Sequence, residues 1–217
     1  MENEPNKKSG VSWSEIIIAT GVGLVLCFVF LNSFAFTTPI KSAEHIKALN
    51  NARSIALALK QYAQDHNGEL PSGNTAAEVF EKLLSTEGDA GGYLNDKAMF
   101  FVKGSQYTPK PILGGDPIKL ASGENHFGVM GNIKFDDKSN SRWPLVFDGP
   151  ATPDGRYSAN PMQKGGVWGG KFAIVVRLDC SAKMEPLADL KVKTDGQENV
   201  LQPSPKWMPE AKLLMPY

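Results

Sequence analysis

Apolar and polar positions along this chain follow three different patterns. The first is an uninterrupted apolar run over residues 16–31, without a single charge. At about 1.5 Å per residue it spans roughly 24 Å, and extension from Trp13 to Phe36 makes it long enough to cross a bilayer core. The second pattern is helical, from about Ser42 to His66. Ile46, Leu49, Ala52, Ile55, Leu59 and Tyr62 recur at steps of three and four, which predicts one apolar face, with Lys47, Asn50, Arg53 and Lys60 opposite. Pro39 separates the two segments, and Asn67-Gly68 is a helix stop. A shorter helix is predicted over about Ala76–Ser85, capped by Asn74 or Thr75. The third pattern is strand-like. Its candidates are Met99–Lys103, Phe127–Phe135, Pro144–Asp148 and Lys171–Asp179, with Ala182–Leu187 pairing after the last. Gln202–Tyr217 holds Pro203, Pro205, Pro209 and Pro216 and is expected to run over the surface with little regular structure.

Composition narrows the class. The chain has 217 residues, 41% of them hydrophobic and 21% charged, which is a globular balance. Lys+Arg and Asp+Glu both number 23. A nucleic-acid binder held by bulk positive charge is therefore not indicated. Two cysteines exclude a multi-disulfide scaffold and a four-cysteine zinc site. The 21 Gly and 15 Pro suit a loop-rich domain of short strands better than a helical bundle.

Four readings of the N-terminal run compete. Ser33 and Ala35 supply small residues for an ordinary secretory cut. Cys27 as a lipidated residue is disfavoured by the large Leu26 before it. A plain signal anchor is the third. The fourth rests on Lys7-Lys8-Ser9-Gly10-Val11-Ser12-Trp13-Ser14-Glu15, a short basic leader ending in Gly, with one carboxylate five residues later at the lip of an apolar helix. A carboxylate at membrane depth is costly and takes a partner. Lys7 and Lys8 favour keeping the short side in the cytoplasm.

This segment resembles the prepilin-type signal of type IV pilins and type II secretion pseudopilins. The resemblance implies a peptidase cut between Gly10 and Val11, N-methylation of Val11, and assembly through Glu15 paired with the new amine of a neighbouring subunit. Val-Ser-Trp-Ser follows the cut where the family usually has Phe, and Glu2 and Glu4 cancel the leader's two lysines. Further on, Asn51-Ala52-Arg53, Tyr62, Asp65, Asn67-Gly68 and Leu70-Pro71 are similar to pilin-like proteins of the Verrucomicrobia and Planctomycetes type, as are Pro144 to Gly149 and Gly169 to Val175. The implied fold is α+β: a long N-terminal helix, half membrane-spanning and half amphipathic, packed on a small, mainly antiparallel sheet. The implied divisions are a leader at 1–10, a transmembrane and assembly helix at 11–36, and an exported head at 37–217 that includes the amphipathic helix 42–66. The implied role is a structural subunit of a pilus-like or pseudopilus-like filament, not an enzyme. Its partners would be other pilin-like subunits, the prepilin peptidase and membrane lipid. Its place would be the inner membrane, crossed once, with the head exported. The rival is a non-polymerising, signal-anchored binding protein with an exported α+β domain.

Chemistry outside this signal is sparse. His45, His66 and His126 show no metal-ligand spacing; His45 reads as a solvated helix residue and His66 as a cation at a helix end. No nucleophile elbow, P-loop or His-Glu-x-x-His occurs. Gly165-Gly166 and Gly169-Gly170 around Trp168 read as a turn leading into a strand. No cofactor is expected. Asp136 and Asp137 are weak calcium candidates in an oxygen-rich loop, with Asp116, Glu124, Asp148 or Asp154 as further ligands; a plain Asx turn is the favoured reading there.

Overall fold

The computed structural model describes residues 43–84, 92–112, 114–136, 139–188, 200–204 and 207–217. Gly10, Val11, Glu15 and the whole 11–36 segment lie outside the described residues, as does Asp137. Contacts divide the chain into two units, Met1–Ala43 and Glu44–Tyr217. The second is an α+β unit. Its elements in order are α1 (43–65), α2 (Ala76–Leu84), a 3-10 turn (Lys97–Phe100), β1 (Phe127–Gly131), β2 (Pro144–Asp148), β3 (Phe172–Arg177), β4 (Ala182–Pro186) and β5 (Lys212–Leu214). Among the described residues no helix is long and apolar enough to cross a membrane.

The buried stripe of α1 is Ala48, Ala52, Ile55, Ala56, Ala58, Leu59 and Ala63. Alanine at five of these seven positions lets the helix backbone come close to its neighbours, and Ile55 and Leu59 fill the space between. Ile46, expected on this face, is 51% exposed. At 100° per residue it sits about 120° round the helix from Ala52, so the alanines rather than the bulkiest residues define the inner face. The helix ends where predicted. Asn67 takes φ 53 and Gly68 φ 84, and Gly68 N–H donates to Ala63 O at 2.7 Å. This is the Schellman closure, with a left-handed residue just past the last turn. A Cβ on Gly68 would lie 2.8 Å from Phe135 O, so the close approach of this corner to residue 135 needs glycine. Thr75 Oγ1 accepts from Glu78 N at 3.2 Å and the Glu78 carboxylate accepts from Asn74 N at 2.7 Å, a reciprocal cap that starts α2.

The sheet is antiparallel throughout, in the order β4-β3-β2-β1-β5. Every residue of β1 and β2 is buried. Successive side chains point to opposite faces, so both faces of the sheet centre are covered. Residues of α1, α2 and the strands join one core that includes Phe80, Phe100, Phe127 and Phe147.

Three expectations are corrected. Met99–Lys103 is not a strand. Asp96 accepts from Ala98 N at 2.7 Å and so caps a 3-10 turn over Lys97–Phe100. The predicted strand Phe127–Phe135 stops at Gly131, because Asn132 takes φ 58 and turns the chain. Gln202–Tyr217 is not structureless: Lys212–Leu214 pairs with β1 through Val129↔Leu214 and Gly131↔Lys212. Leu214 is buried, and a Cβ on Gly131 would lie 2.8 Å from its Cδ1. The strand fits between Pro209 and Pro216, at the edge of the sheet where a missing N–H is tolerated.

The packing of α1 sets two expectations. Ala52→Leu adds bulk at a fully buried contact and should lower stability by about 1–3 kcal/mol. Leu57→Ser, on the exposed side, should change it by less than about 0.5 kcal/mol. Denaturant unfolding monitored by near-UV dichroism checks both. A chain beginning at Ser42 should unfold cooperatively. One beginning at Gly68, lacking α1, should aggregate through its bared apolar surface.

Candidate functional site

The most concentrated chemistry in the described residues is a buried polar line, Ser105–His126–Asp148. Asp148 closes β2, opposite Phe127 of β1. Its Oδ1 lies 2.8 Å from His126 Nε2. Its Oδ2 accepts from Trp168 Nε1 at 2.5 Å and from Ile174 N in β3 at 2.6 Å. The other imidazole nitrogen, Nδ1, lies 2.7 Å from Ser105 Oγ, which also accepts from Tyr107 N at 3.0 Å. Backbone bonds complete the setting: His126 N donates to Phe100 O at 2.9 Å and Gly149 N to His126 O at 3.0 Å.

These bonds close in one direction. With imidazole neutral, Nε2–H donates to Asp148, Nδ1 accepts the Ser105 hydroxyl proton, and Ser105 Oγ accepts from Tyr107. Every polar atom in the line is then satisfied, as buried polar groups require. Three N–H donors surround the carboxylate, which is how a buried charge becomes tolerable.

Ser, His and Asp in hydrogen-bond contact are the components of an acyl-transfer triad. Here Ser105 is 2% exposed, His126 0% and Asp148 1%. The serine oxygen is engaged on both sides by His126 and Tyr107, with no open face for a substrate. The arrangement acts as a tie between the 3-10 turn, β1, β2, β3 and the loop carrying Trp168.

Aromatic residues surround the tie. Tyr157 donates to Asp148 O at 2.8 Å and Tyr107 to Pro150 O at 2.5 Å. Burial pushes both phenols above the usual tyrosine value; next in order, the Tyr217 ring acts on Tyr107 and the Asp148 charge on Tyr157. Tyr107 stacks on Tyr217 at 5.6 Å, with Lys164 Nζ 3.8 Å from the Tyr217 centroid. Asn125 Nδ2 holds Pro216 O at 2.9 Å. His45, expected to be solvated, instead meets Trp168 and Phe172 edge-on at 4.7 and 5.1 Å. It is drawn in because Trp168 is fixed by its bond to Asp148. His66 does sit at the helix end, with Nδ1 2.7 Å from Tyr62 O.

An open groove of about 400 Å³ is lined by Lys60 and Gln64 of α1, Phe135, Asp136, Ser139, Ser141, Leu178 and Asp179. It carries both signs of charge, an amide and two hydroxyls, so it suits a small polar molecule. Asp179 Oδ1 accepts from Ser181 N at 2.8 Å, and bonding to Ser181 holds this carboxyl below its usual range. Asp136 Oδ1 accepts from Ser139 N at 2.9 Å, an Asx turn. The other calcium candidates are scattered among different partners. Asp148 serves the buried tie, Glu124 pairs with Lys97 at 3.2 Å, Asp154 with Arg156 at 2.7 Å, and Asp116 accepts from Ile118 N at 3.1 Å. Among the described residues no group of three or more His, Cys, Asp or Glu is placed to hold a metal ion. Cys180 is buried at φ 62 in the β3–β4 turn, and burial pushes its thiol up. Cys27 lies outside the described residues.

Sequence spacing does not reveal Ser105, His126 and Trp168 as a group, since three separate loops bring them to the end of β2. The one visible hint is a tryptophan set between two glycine pairs.

Removing the centre of the tie should be severe. Asp148→Asn offers an amide where donors converge and should cost about 3–5 kcal/mol, as for loss of one partner of a buried charged pair. Ser105→Ala should cost about 1–3 kcal/mol by stranding its two neighbours. Chemical denaturation checks both. The tyrosines give a pH test. A phenol whose folded value is raised contributes stability below the unfolded value near 10 and loses it as pH rises further. Stability should therefore fall above about pH 10, and Tyr107 and Tyr157 should ionise only with unfolding; absorbance at alkaline pH against dichroism measures this.

Compared with protein-family models, with curated proteins and with solved structures, the chain gives no match.

Proposed function

We propose that the chain is a structural subunit of a pilus-like or pseudopilus-like filament, anchored once in the inner membrane with its α+β head exported. The observation that carries this reading is the double position of α1. One face is buried in the head's core. In sequence it follows directly on the apolar run and Pro39. A subunit that assembles through an apolar helix needs a folded head, and α1 contributes a buried face to the core of one. The Gly10–Val11 cut, Val11 methylation and the Glu15 contact complete the proposal, with the prepilin peptidase, lipid and other subunits as partners. The buried serine of the Ser105–His126–Asp148 line fits a structural role better than a catalytic one.

A second reading is an anchored binding protein, favoured by the 400 Å³ groove beside α1. Mass spectrometry of the mature N-terminus separates the two. N-methyl-Val11 is expected for the filament subunit, an intact N-terminus for the anchored binder, and a start beyond Ala35 for ordinary secretion. Gly10→Val should leave a full-length precursor, because the peptidase needs close approach to the scissile carbonyl. Glu15→Ala should leave insertion and cleavage intact and abolish assembly. Normal incorporation of that variant into filaments would sink the pairing.

A further inference from the structure

β4 lies at one end of the sheet, paired with β3 alone. The hairpin decides which of its backbone groups face outward. Arg177 N donates to Ser181 O at 3.0 Å and Leu187 N to Lys171 O at 3.3 Å. With Val175↔Lys183 and Ala173↔Glu185 in register, Lys183 and Glu185 direct their N–H and C=O groups to β3. Ala182, Met184 and Pro186 direct theirs to the open edge. Among the described residues no strand pairs with that edge, and Lys183, Met184 and Pro186 are exposed.

We propose that this edge pairs with β4 of a second copy of the chain, antiparallel, about a twofold axis through Met184. Met184 then exchanges two backbone bonds with its counterpart. Ala182 N–H reaches Pro186 O of the second copy, and Pro186, lacking an N–H, returns none. Lys183 lies directly opposite the other copy's Glu185, on the same face. These are non-hydrogen-bonded positions, where side chains approach closest. The charge pattern selects this register. A shift of two residues one way sets Lys183 against Lys183, and the other way Glu185 against Glu185. Parallel pairing in register sets like against like at both positions. Glu185 is already held by Arg177 at 2.5 Å, so the carboxylate is oriented before the second copy arrives. Lysine and proline on an edge strand ordinarily discourage promiscuous pairing; with Glu185 between them they admit one complementary partner. An edge contact of this size is weak and depends on concentration. The pairing stands independently of the filament reading.

The test uses the full chain in detergent micelles, with Cys27→Ser as background. The twofold places the two residue-184 Cα atoms about 5.5 Å apart, within disulfide range. It places the two residue-183 Cα atoms about 8 Å apart, outside that range. Oxidation should therefore give a disulfide dimer with Met184→Cys and none with Lys183→Cys. Added to the Met184→Cys chain, Lys183→Glu or Glu185→Lys alone should lower the cross-linked fraction about tenfold. Mixing the two variants should restore it as a heterodimer, because each then sets opposite charges across the axis. Near-UV dichroism establishes that each variant is folded. A folded Met184→Cys chain without cross-link, equal cross-linking through residue 183, or a mixture no better than either variant alone would overturn the proposal.

Discussion

The Asp148 carboxylate is the constraint around which the α+β unit is arranged. A charged group closing a fully buried strand is tolerable only if donors come to it. They come from His126 ahead of β1, from Trp168 in the glycine-flanked loop, and from Ile174 inside β3. Each donor fixes a different part of the chain. His126 draws in Ser105 and the turn after Phe100, and Trp168 draws in His45 at the start of α1. Apolar packing supplies most of the driving force for such a core. The carboxylate adds specificity, because alternative packings would leave it or its donors unsatisfied.

The helices and inner strands were legible from sequence because their signals are local. α1 follows its periodicity, its stop at Asn67-Gly68 is a backbone preference, and β2 and β3 are short apolar runs between turn residues. The misreadings arise where a contact, local or distant, outweighs composition and spacing. Ile46 counted as core by its helical spacing, but a face of alanines packs closer. Met99–Lys103 looks like a strand by composition, but Asp96 offers its start a local cap. Lys212–Leu214 is too short and too proline-flanked to register as a strand until Gly131 leaves room for Leu214.

The buried tie was illegible for the same reason. Ser105, His126, Asp148 and Trp168 are spread over three loops and a strand end, and nothing in their local sequence marks them as neighbours. The groove between the end of α1 and the β3–β4 turn also joins segments more than a hundred residues apart. The Gly10–Glu15 signal is the opposite case: its information is contained in a few adjacent positions, and no tertiary contact is needed to read it.

The placement of β5 has a consequence for the timing of folding. Its strand completes the edge of β1, Met215 O accepts from Ala76 N at the start of α2, and Pro216 O accepts from Asn125, 91 positions earlier. At roughly 5–20 residues per second, a ribosome needs about 5–18 s to travel from Asn125 to Pro216. During that interval β1 has an unpaired edge, and the first turn of α2 lacks one of its acceptors. A chain that emerges from its N-terminus therefore carries an unfinished sheet until the last strand is made. Whatever accompanies the emerging chain must keep that edge from finding a foreign strand for several seconds.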